Sequence, residues 1–273
     1  MKYIPIQCKS VIRKVKGRFP YHYDVNIYRG CEHGCLYCFA IYSHDYLDDQ
    51  QFYEHVYYKE NLIEILDKEL SSKKWKHDII NFGSVCDSYQ PCEKDLKLMR
   101  EVWKLMIKHQ NPVILSTKSK LILRDLDLIK ELSKNVSVKI ASTITCGDET
   151  IQKIIEPNAT NSVERMKTLQ LIKQNTNAHV SILLMPIIPY INDSYENLEA
   201  IYKLASEIGI DQIDVGVLYL RGKTKPYFLN HIKDIDSQVY YKIKDLYKTG
   251  SCDKEYKKRI YQKINRLKKI YKL

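Results

Sequence analysis

The sequence predicts an α/β protein, an open partial (β/α)6 barrel followed by a basic helical tail. Three observations carry that expectation. Short β-branched runs alternate with longer stretches of helical periodicity six times along the 273 residues. Repeated βα units imply parallel strands joined by right-handed crossovers, and six units fall two short of the eight that close a full TIM-type barrel. The charge is also uneven: residues 240–273 hold 12 lysines and arginines against 3 acids, a net of +9 out of +11 for the whole chain. A flat, doubly wound sheet is the alternative that the same alternation allows. In either architecture the site belongs at the carboxyl ends of the strands.

"YDVNIY" (23–28) alternates at period two and reads as the first strand, running into Gly30. "NLIEILDKEL" (61–70) sets Leu62, Ile65, Leu66 and Leu70 on one helical face. "DIINFG" (78–83) is a strand ending at Gly83, and "DLKLMREVWKLMIKH" (95–109) has helical spacing. "PVILST" (112–117) is the third strand, followed by "RDLDLIKELS" (124–133), a helix opening with acidic residues that suit its amino end. "VSVKIAST" (136–143) is the fourth strand; "SVERMKTLQLIKQ" (162–174) reads as a helix capped at Ser162. "HVSILLMP" (179–186) is a strand, and "SYENLEAIYKLASEIG" (194–209) a helix closed by Gly209. "QIDVGVLYL" (212–220) is the sixth strand. The expected division is an N-terminal extension (1–22), the barrel (23–222) and the tail (223–273), whose last helix places Ile260, Ile264, Leu267 and Tyr271 on one face.

Hydrophobic residues make up 44% and charged residues 28%, a globular balance with no run near the roughly 20 apolar residues of a membrane span. "MKYIPIQCKS" lacks a secretory core, so a cytoplasmic location is expected, and eight cysteines there point to reduced thiols and metal ligation rather than disulfides. A basic tail attracts polyanions, chiefly nucleic acid, or an acidic membrane surface.

The chemistry concentrates in "YRGCEHGCLYC" (28–38), where Cys31, Cys35 and Cys38 stand in the pattern C-x3-C-x2-C. Soft thiolates select zinc, copper(I) or iron–sulfur clusters. A structural zinc needs four ligands, which His33 or His44 would complete. A four-iron cluster held by three cysteines instead leaves one iron open to another ligand. The spacing, with aromatic Tyr37 before the last cysteine and a strand before the loop, resembles the radical S-adenosylmethionine (SAM) superfamily. The blocks "YRGCEHGCLYCFA", "GSVCDSYQPCE", "STKSKLILRDLDLI", "IIEPNATNSVERMKTL" and "PIIPYINDSYENL" resemble its spore photoproduct lyase-like branch, also labelled DNA repair photolyase. That resemblance implies a 4Fe-4S cluster on Cys31, Cys35 and Cys38, with SAM chelated at the open iron. It implies a reducing partner such as flavodoxin or ferredoxin, and cleavage of SAM to a 5′-deoxyadenosyl radical that takes hydrogen from a substrate.

Residues at the strand ends are candidate cofactor contacts, and the resemblance sets the loop after the second strand at the methionine end of SAM and supports Lys118. Tyr37, Ser84, Asp87, Lys118, Ser142 and Met185 are the candidates: Lys118 for the methionine carboxylate, Ser142 with Thr143 for the ribose, Met185 for the adenine. Read as residues alone, Ser84 and Asp87 suit an ordinary turn and Met185 an ordinary core. Cys86 is the candidate catalytic thiol, since spore photoproduct lyases use a loop cysteine in this segment as hydrogen donor. An alignment on Asp87 sets that donor position nearer Ser84, which departs from the family pattern. Glu156, beside Pro157, is a candidate hydrogen-bonding group at the site mouth or the end of a helical turn. The functional expectation is radical SAM chemistry on a nucleic acid. Its alternatives are the same chemistry on a peptide, protein or small metabolite, and a zinc-stabilised nucleic-acid-binding module without catalysis.

Overall fold

The computed structural model describes residues 1–273. Its elements run β1 (Lys2–Ile6), β2 (Arg13–Lys14), β3 (Tyr23–Val25), β4 (Tyr28–Arg29), β5 (His55–Lys59), α1 (Leu62–Leu70), β6 (Ile80–Phe82), α2 (Glu93–Leu96), α3 (Leu98–Lys108) and β7 (Val113–Thr117). They continue with α4 (Leu126–Leu132), β8 (Val138–Thr143), α5 (Glu149–Ile155), α6 (Ser162–Asn175), β9 (His179–Ile187), α7 (Tyr195–Glu207), β10 (Gln212–Val217), α8 (Thr224–Ile235), α9 (Ser237–Leu246) and α10 (Lys254–Tyr271).

The main sheet has the order β10-β9-β8-β7-β6-β3-β2. All its pairings are parallel except β2 against β3. Each new parallel strand joins beside the previous one, with no reversal of order. A doubly wound sheet requires such a reversal, so the flat alternative falls and the sheet is that of a partial barrel. The predicted helix 95–109 is interrupted at Lys97, which takes a left-handed conformation (φ 53°). Asn161, not Ser162, caps α6, accepting from the Glu164 amide at 2.8 Å.

The predicted first strand departs from expectation. It leaves the main sheet at Val25, and Tyr28–Arg29 turns to pair with β5 in a second, three-stranded sheet, β1-β5-β4. β1 pairs in parallel with β5 from Lys2↔His55 to Ile6↔Lys59. Pro5 is tolerated because β1 is an edge strand. The second sheet therefore carries the chain into the cysteine loop.

The core fills the space between strands and helices. Phe82, Leu115, Ile140 and Ile182 from the strands meet Leu66, Trp103, Ile129 and Tyr202 from the helices, all essentially inaccessible to water. α10 belongs to this core: Ile260, Ile264 and Leu267 are buried in it. Burial of each contributes about 1.5–3 kcal/mol. Asp253 caps α10 by accepting from the Glu255 and Tyr256 amides, both at 3.0 Å. Lys263 Nζ donates to Asp193 O, before α7, and Ser206 Oγ donates to Tyr271 O, near the far end of α7. α10 thus runs alongside α7 in the same direction and leaves Lys254, Lys257, Lys258 and Lys269 exposed.

Candidate active site

The carboxyl ends of the strands open into one cavity of about 860 Å³. Its walls include Gly83 to Asp87 after β6, Ser116 to Lys118 at the end of β7, Thr143, Met185, and Gly216 to Val217 of β10. Cys31, Cys35 and Cys38 line the same cavity. That size suits a cofactor-bearing site.

The cysteine loop is held by backbone geometry. Gly30 has φ +88°, and a Cβ there would lie 2.1 Å from the His55 carbonyl oxygen, so only glycine fits. The Cys31 amide donates to Phe52 O at 3.3 Å, and the Cys38 amide to Cys35 O at 3.1 Å. From the other side, residues 155–158 clamp the loop. Leu36 N donates to Ile155 O (3.0 Å), Asn158 N to His33 O (3.2 Å), and Asn158 Nδ2 to Glu32 O (2.8 Å). Burial, partly offset by Lys118, pushes the Cys35 thiol up to about 12. A bound cationic centre displaces such protons and supplies the compensating charge.

No three His, Cys, Asp or Glu side chains converge closely enough for a single metal ion. Cys31, Cys35 and Cys38 share one wall of the cavity, and in a multi-iron cluster each thiolate would take a separate iron. Of the histidines that a zinc site would recruit, His33 is held by other groups, and His44 is not part of the cavity wall, its two ring nitrogens having no hydrogen-bond partner. His33 Nε2 lies 3.0 Å from Asp87 and Nδ1 3.4 Å from Asn158 O. His44 stands edge-on to Phe52 and Tyr57, 3.7 Å from Asp49.

Asp87 is buried and saturated. Its carboxylate faces His33 and accepts from Thr117 Oγ1 (2.7 Å), Lys118 N (2.7 Å) and Tyr89 N (2.8 Å). Burial alone would raise its pKa, but His33 and these donors outweigh burial and hold the carboxyl well below the usual range. Its structural effect is to tie the loop after β6 to the end of β7. Ser84 lines the cavity, with Oγ 2.6 Å from Asp24 Oδ2 and 2.9 Å from Asn26 Oδ1. Lys118 enters the cavity with Nζ 5.7 Å from the centre of the Tyr37 ring. Burial opposes its charge, but Cys35, Glu156 and Asp87 more than compensate, so it stays protonated. Met185 lines the cavity against Gly216, where a Cβ would come within 3.2 Å of Met185 Cβ. Cys86 also reaches the wall, and burial pushes its thiol up to about 12.

One predicted residue is placed elsewhere. Ser142 does not line the cavity; its hydroxyl donates to Thr117 O at 2.7 Å, bracing β8 against β7. Strand alternation turns its neighbour Thr143 to the cavity instead. Tyr37 lines the cavity with its ring while its hydroxyl donates to Glu156. Glu156 is fully buried and also accepts from Arg165 and from Thr145 Oγ1 (3.1 Å). Burial would raise its pKa, and Arg165, Lys118 and Tyr37 together lower it.

Arg165 had no sequence signal, because an arginine on an amphipathic helix reads as solvated surface. Arg221, Lys223 and Thr224 line the cavity mouth. They had the signal that marked Lys118, polar residues just past a strand, but lie at the expected junction between barrel and tail.

The model of the radical SAM superfamily matches residues 25–205. The chain belongs to the radical SAM superfamily. As a member it is an enzyme that uses a 4Fe-4S cluster and SAM, and radical SAM chemistry requires an external reductant. An uncharacterized protein of Mycobacterium tuberculosis is 30% identical over 90% of this chain and 73% of its own length. One of Methanocaldococcus jannaschii is 31% identical over 80% of this chain and 75% of its own. Among solved structures, a spore photoproduct lyase variant with bound AdoMet and dinucleoside spore photoproduct has a TM-score of 0.72 at 12% identity. That match covers 98% of this chain and 79% of that one. At that identity the likeness establishes the shared radical SAM fold. No helix is long and apolar enough to cross a membrane.

Proposed function

We propose that Cys31, Cys35 and Cys38 ligate three irons of the cluster and that the substrate is a nucleic acid. When bound, the cluster and SAM supply a reductive cleavage that generates a radical able to abstract hydrogen. The chain's own residues bind and orient. Lys118 offers a protonated amine for the SAM carboxylate, Thr143 a hydroxyl, and Met185 an apolar surface. Tyr37 stiffens the loop through Glu156, and Asp87 holds the adjoining loops together. Cys86, on the same wall, is the thiol available to donate hydrogen.

The observation that carries the substrate reading is charge. Arg221 stands at the cavity mouth outside the chain's ion pairs and Lys118 brings a second cation into the wall, while Lys223 is paired with Asp45 and the only carboxylate in the wall, Asp87, is saturated. The outer faces of α9 and α10 support it by interleaving cations with tyrosines. Arg259 lies 5.2 Å from the Tyr256 ring centre, Lys257 5.9 Å from that of Tyr261, and Lys242 5.7 Å from that of Tyr190. Such surfaces follow a phosphate backbone and stack on bases. The spore photoproduct lyase with the same fold is described with a dinucleoside photoproduct, which suits this reading. A flavodoxin- or ferredoxin-class protein is the proposed electron source.

Anaerobic iron–sulfur reconstitution, followed by measurement of 5′-deoxyadenosine with and without DNA, tests the proposal. Formation that rises with DNA and disappears in Cys35→Ala is expected, with DNA affinity falling as salt rises. Label transferred to the cofactor from a peptide instead of DNA would overturn the substrate reading. One bound zinc and no iron would overturn the cluster assignment.

A further inference from the structure

The amino-terminal residues hold a second cationic surface on a different part of the molecule. Residues 1–22 contain six lysines and arginines and no acid. Together with the +9 of residues 240–273, this leaves the intervening body at −4 out of the total of +11. Four of the six cations, Arg13, Lys14, Lys16 and Arg18, sit exposed on one hairpin.

The hairpin is built on the edge of the main sheet. Arg13 pairs with Asp24 and Lys14 with Tyr23 in antiparallel register, and Val15 N donates to His22 O at 2.8 Å. Its tip carries Phe19, 50% exposed, stacked on Tyr21 with ring centres 5.4 Å apart and planes 18° from parallel. Gly17 (φ +142°) makes this possible: a Cβ there would lie 2.6 Å from the Phe19 ring, which folds back over the turn. The chain's arginine–carboxylate pairs use Arg100, Arg124 and Arg165, so Arg13 and Arg18 keep their charge free.

Charge on an edge strand commonly serves to block pairing with another sheet. That accounts for Arg13 and Lys14, which lie on the paired residues. It does not account for Lys16 and Arg18 beyond them, nor for an exposed aromatic pair at the tip. Cations around a flat, exposed aromatic platform match single-stranded nucleic acid, whose phosphates meet the cations and whose unpaired bases stack on the ring. The hairpin extends past the amino end of β3, whereas the cavity lies at the carboxyl ends of the strands.

We propose that the 13–22 hairpin is an accessory anchor for single-stranded nucleic acid, separate from the catalytic cavity, with Phe19 as its stacking residue. This rests on the nucleic-acid reading above. A polymer held at both places would be retained while one nucleotide is presented to the cavity.

The test uses the full-length reconstituted protein and fluorescence anisotropy with a labelled 20-nucleotide thymidine oligomer, free and annealed, across a salt series. Phe19→Ala should weaken binding of the single strand by about 10-fold and that of the duplex far less. Changing Arg13, Lys14, Lys16 and Arg18 together to Gln should lower the log–log salt slope by up to about 3, at ~0.7 for each phosphate no longer neutralised. Because Phe19 is exposed, its replacement spares the core, and unchanged cluster absorbance confirms that fold. A 4-thiothymidine photocrosslink to the peptide containing Phe19 and Tyr21 provides a readout that needs no variant. Wild-type binding with neither variant effect nor crosslink overturns the hairpin while leaving the nucleic-acid reading intact. Self-association of the four-fold variant with undiminished DNA binding also overturns it, in favour of an edge guard. Failure of the wild-type protein to bind either oligomer removes both readings.

Discussion

Glu156→Gln removes one charge from the most deeply buried ion pair at the site. The wild-type carboxylate is 0% exposed and accepts from Tyr37, Thr145 and Arg165, and Arg165 is itself 1% exposed. Arg165 Nη1 donates to Thr143 O at 2.6 Å, but its Nε has no partner, so Glu156 is its sole counter-charge in contact. Glutamine keeps the shape and leaves a buried guanidinium unpaired. Breaking such a pair from one side costs about 3–5 kcal/mol, a large share of the roughly 5–15 kcal/mol that holds a domain together. Tyr37→Phe is the milder perturbation, removing one hydroxyl donor to an ionised group, about 1.5–3 kcal/mol. The two should be less than additive, since both act on the same carboxylate. Urea unfolding of the anaerobically prepared protein, followed by circular dichroism, gives the stability. Iron content and visible absorbance report whether the cysteine loop still assembles its cluster. If Glu156→Gln unfolds within about 1 kcal/mol of wild type and loads iron normally, the buried charge pair is not what holds the loop.

Three further outcomes are expected. Ser142→Ala should leave SAM affinity unchanged while lowering stability by about 1 kcal/mol, because its hydroxyl braces β7 and not the cavity; a calorimetric titration showing weakened SAM binding would contradict that placement. Gly30→Ala should destabilise the loop by at least about 2 kcal/mol and reduce iron loading, since its Cβ would meet the His55 carbonyl at 2.1 Å; normal loading would show that β5 gives way. Burial works to raise the Asp49 carboxyl, but the Gln51 amide, Tyr57 and His55 outweigh it and hold it at about 2, against 3.8 normally. Its stabilisation is therefore complete above about pH 4 and lost as pH falls through about 2. The acid limb of a stability–pH curve should flatten over that interval in Asp49→Asn, and an unchanged limb would refute the pairing.

The barrel was legible because each βα unit writes its own periodicity into a short segment. The cysteine loop was legible because its three cysteines lie within eight residues. Less legible was anything that depends on facing. Ser142 and Thr143 are adjacent and chemically alike, yet only Thr143 reaches the cavity, because successive strand residues point to opposite sides. The early exit of the chain at Val25 was hidden because "YDVNIY" alternates continuously across the break, and only pairing with β5 divides it. "IEPNAT" announced a proline turn, but not that this turn would clamp the cysteine loop.

Local order in the chain set the number of βα units, their parallel sense, the three-thiol motif and the placement of basic residues near both ends. These follow from propensities and spacings that act over a few residues. Assembly in three dimensions decided that Glu156 meets Tyr37 across 119 residues, that Arg165 neutralises Glu156, and that α10 docks beside α7. It also set the basic hairpin at the end of β3 opposite the cavity. Those choices depend on which distant surfaces can bury apolar area together without stranding a charge, a condition that no short segment can satisfy alone.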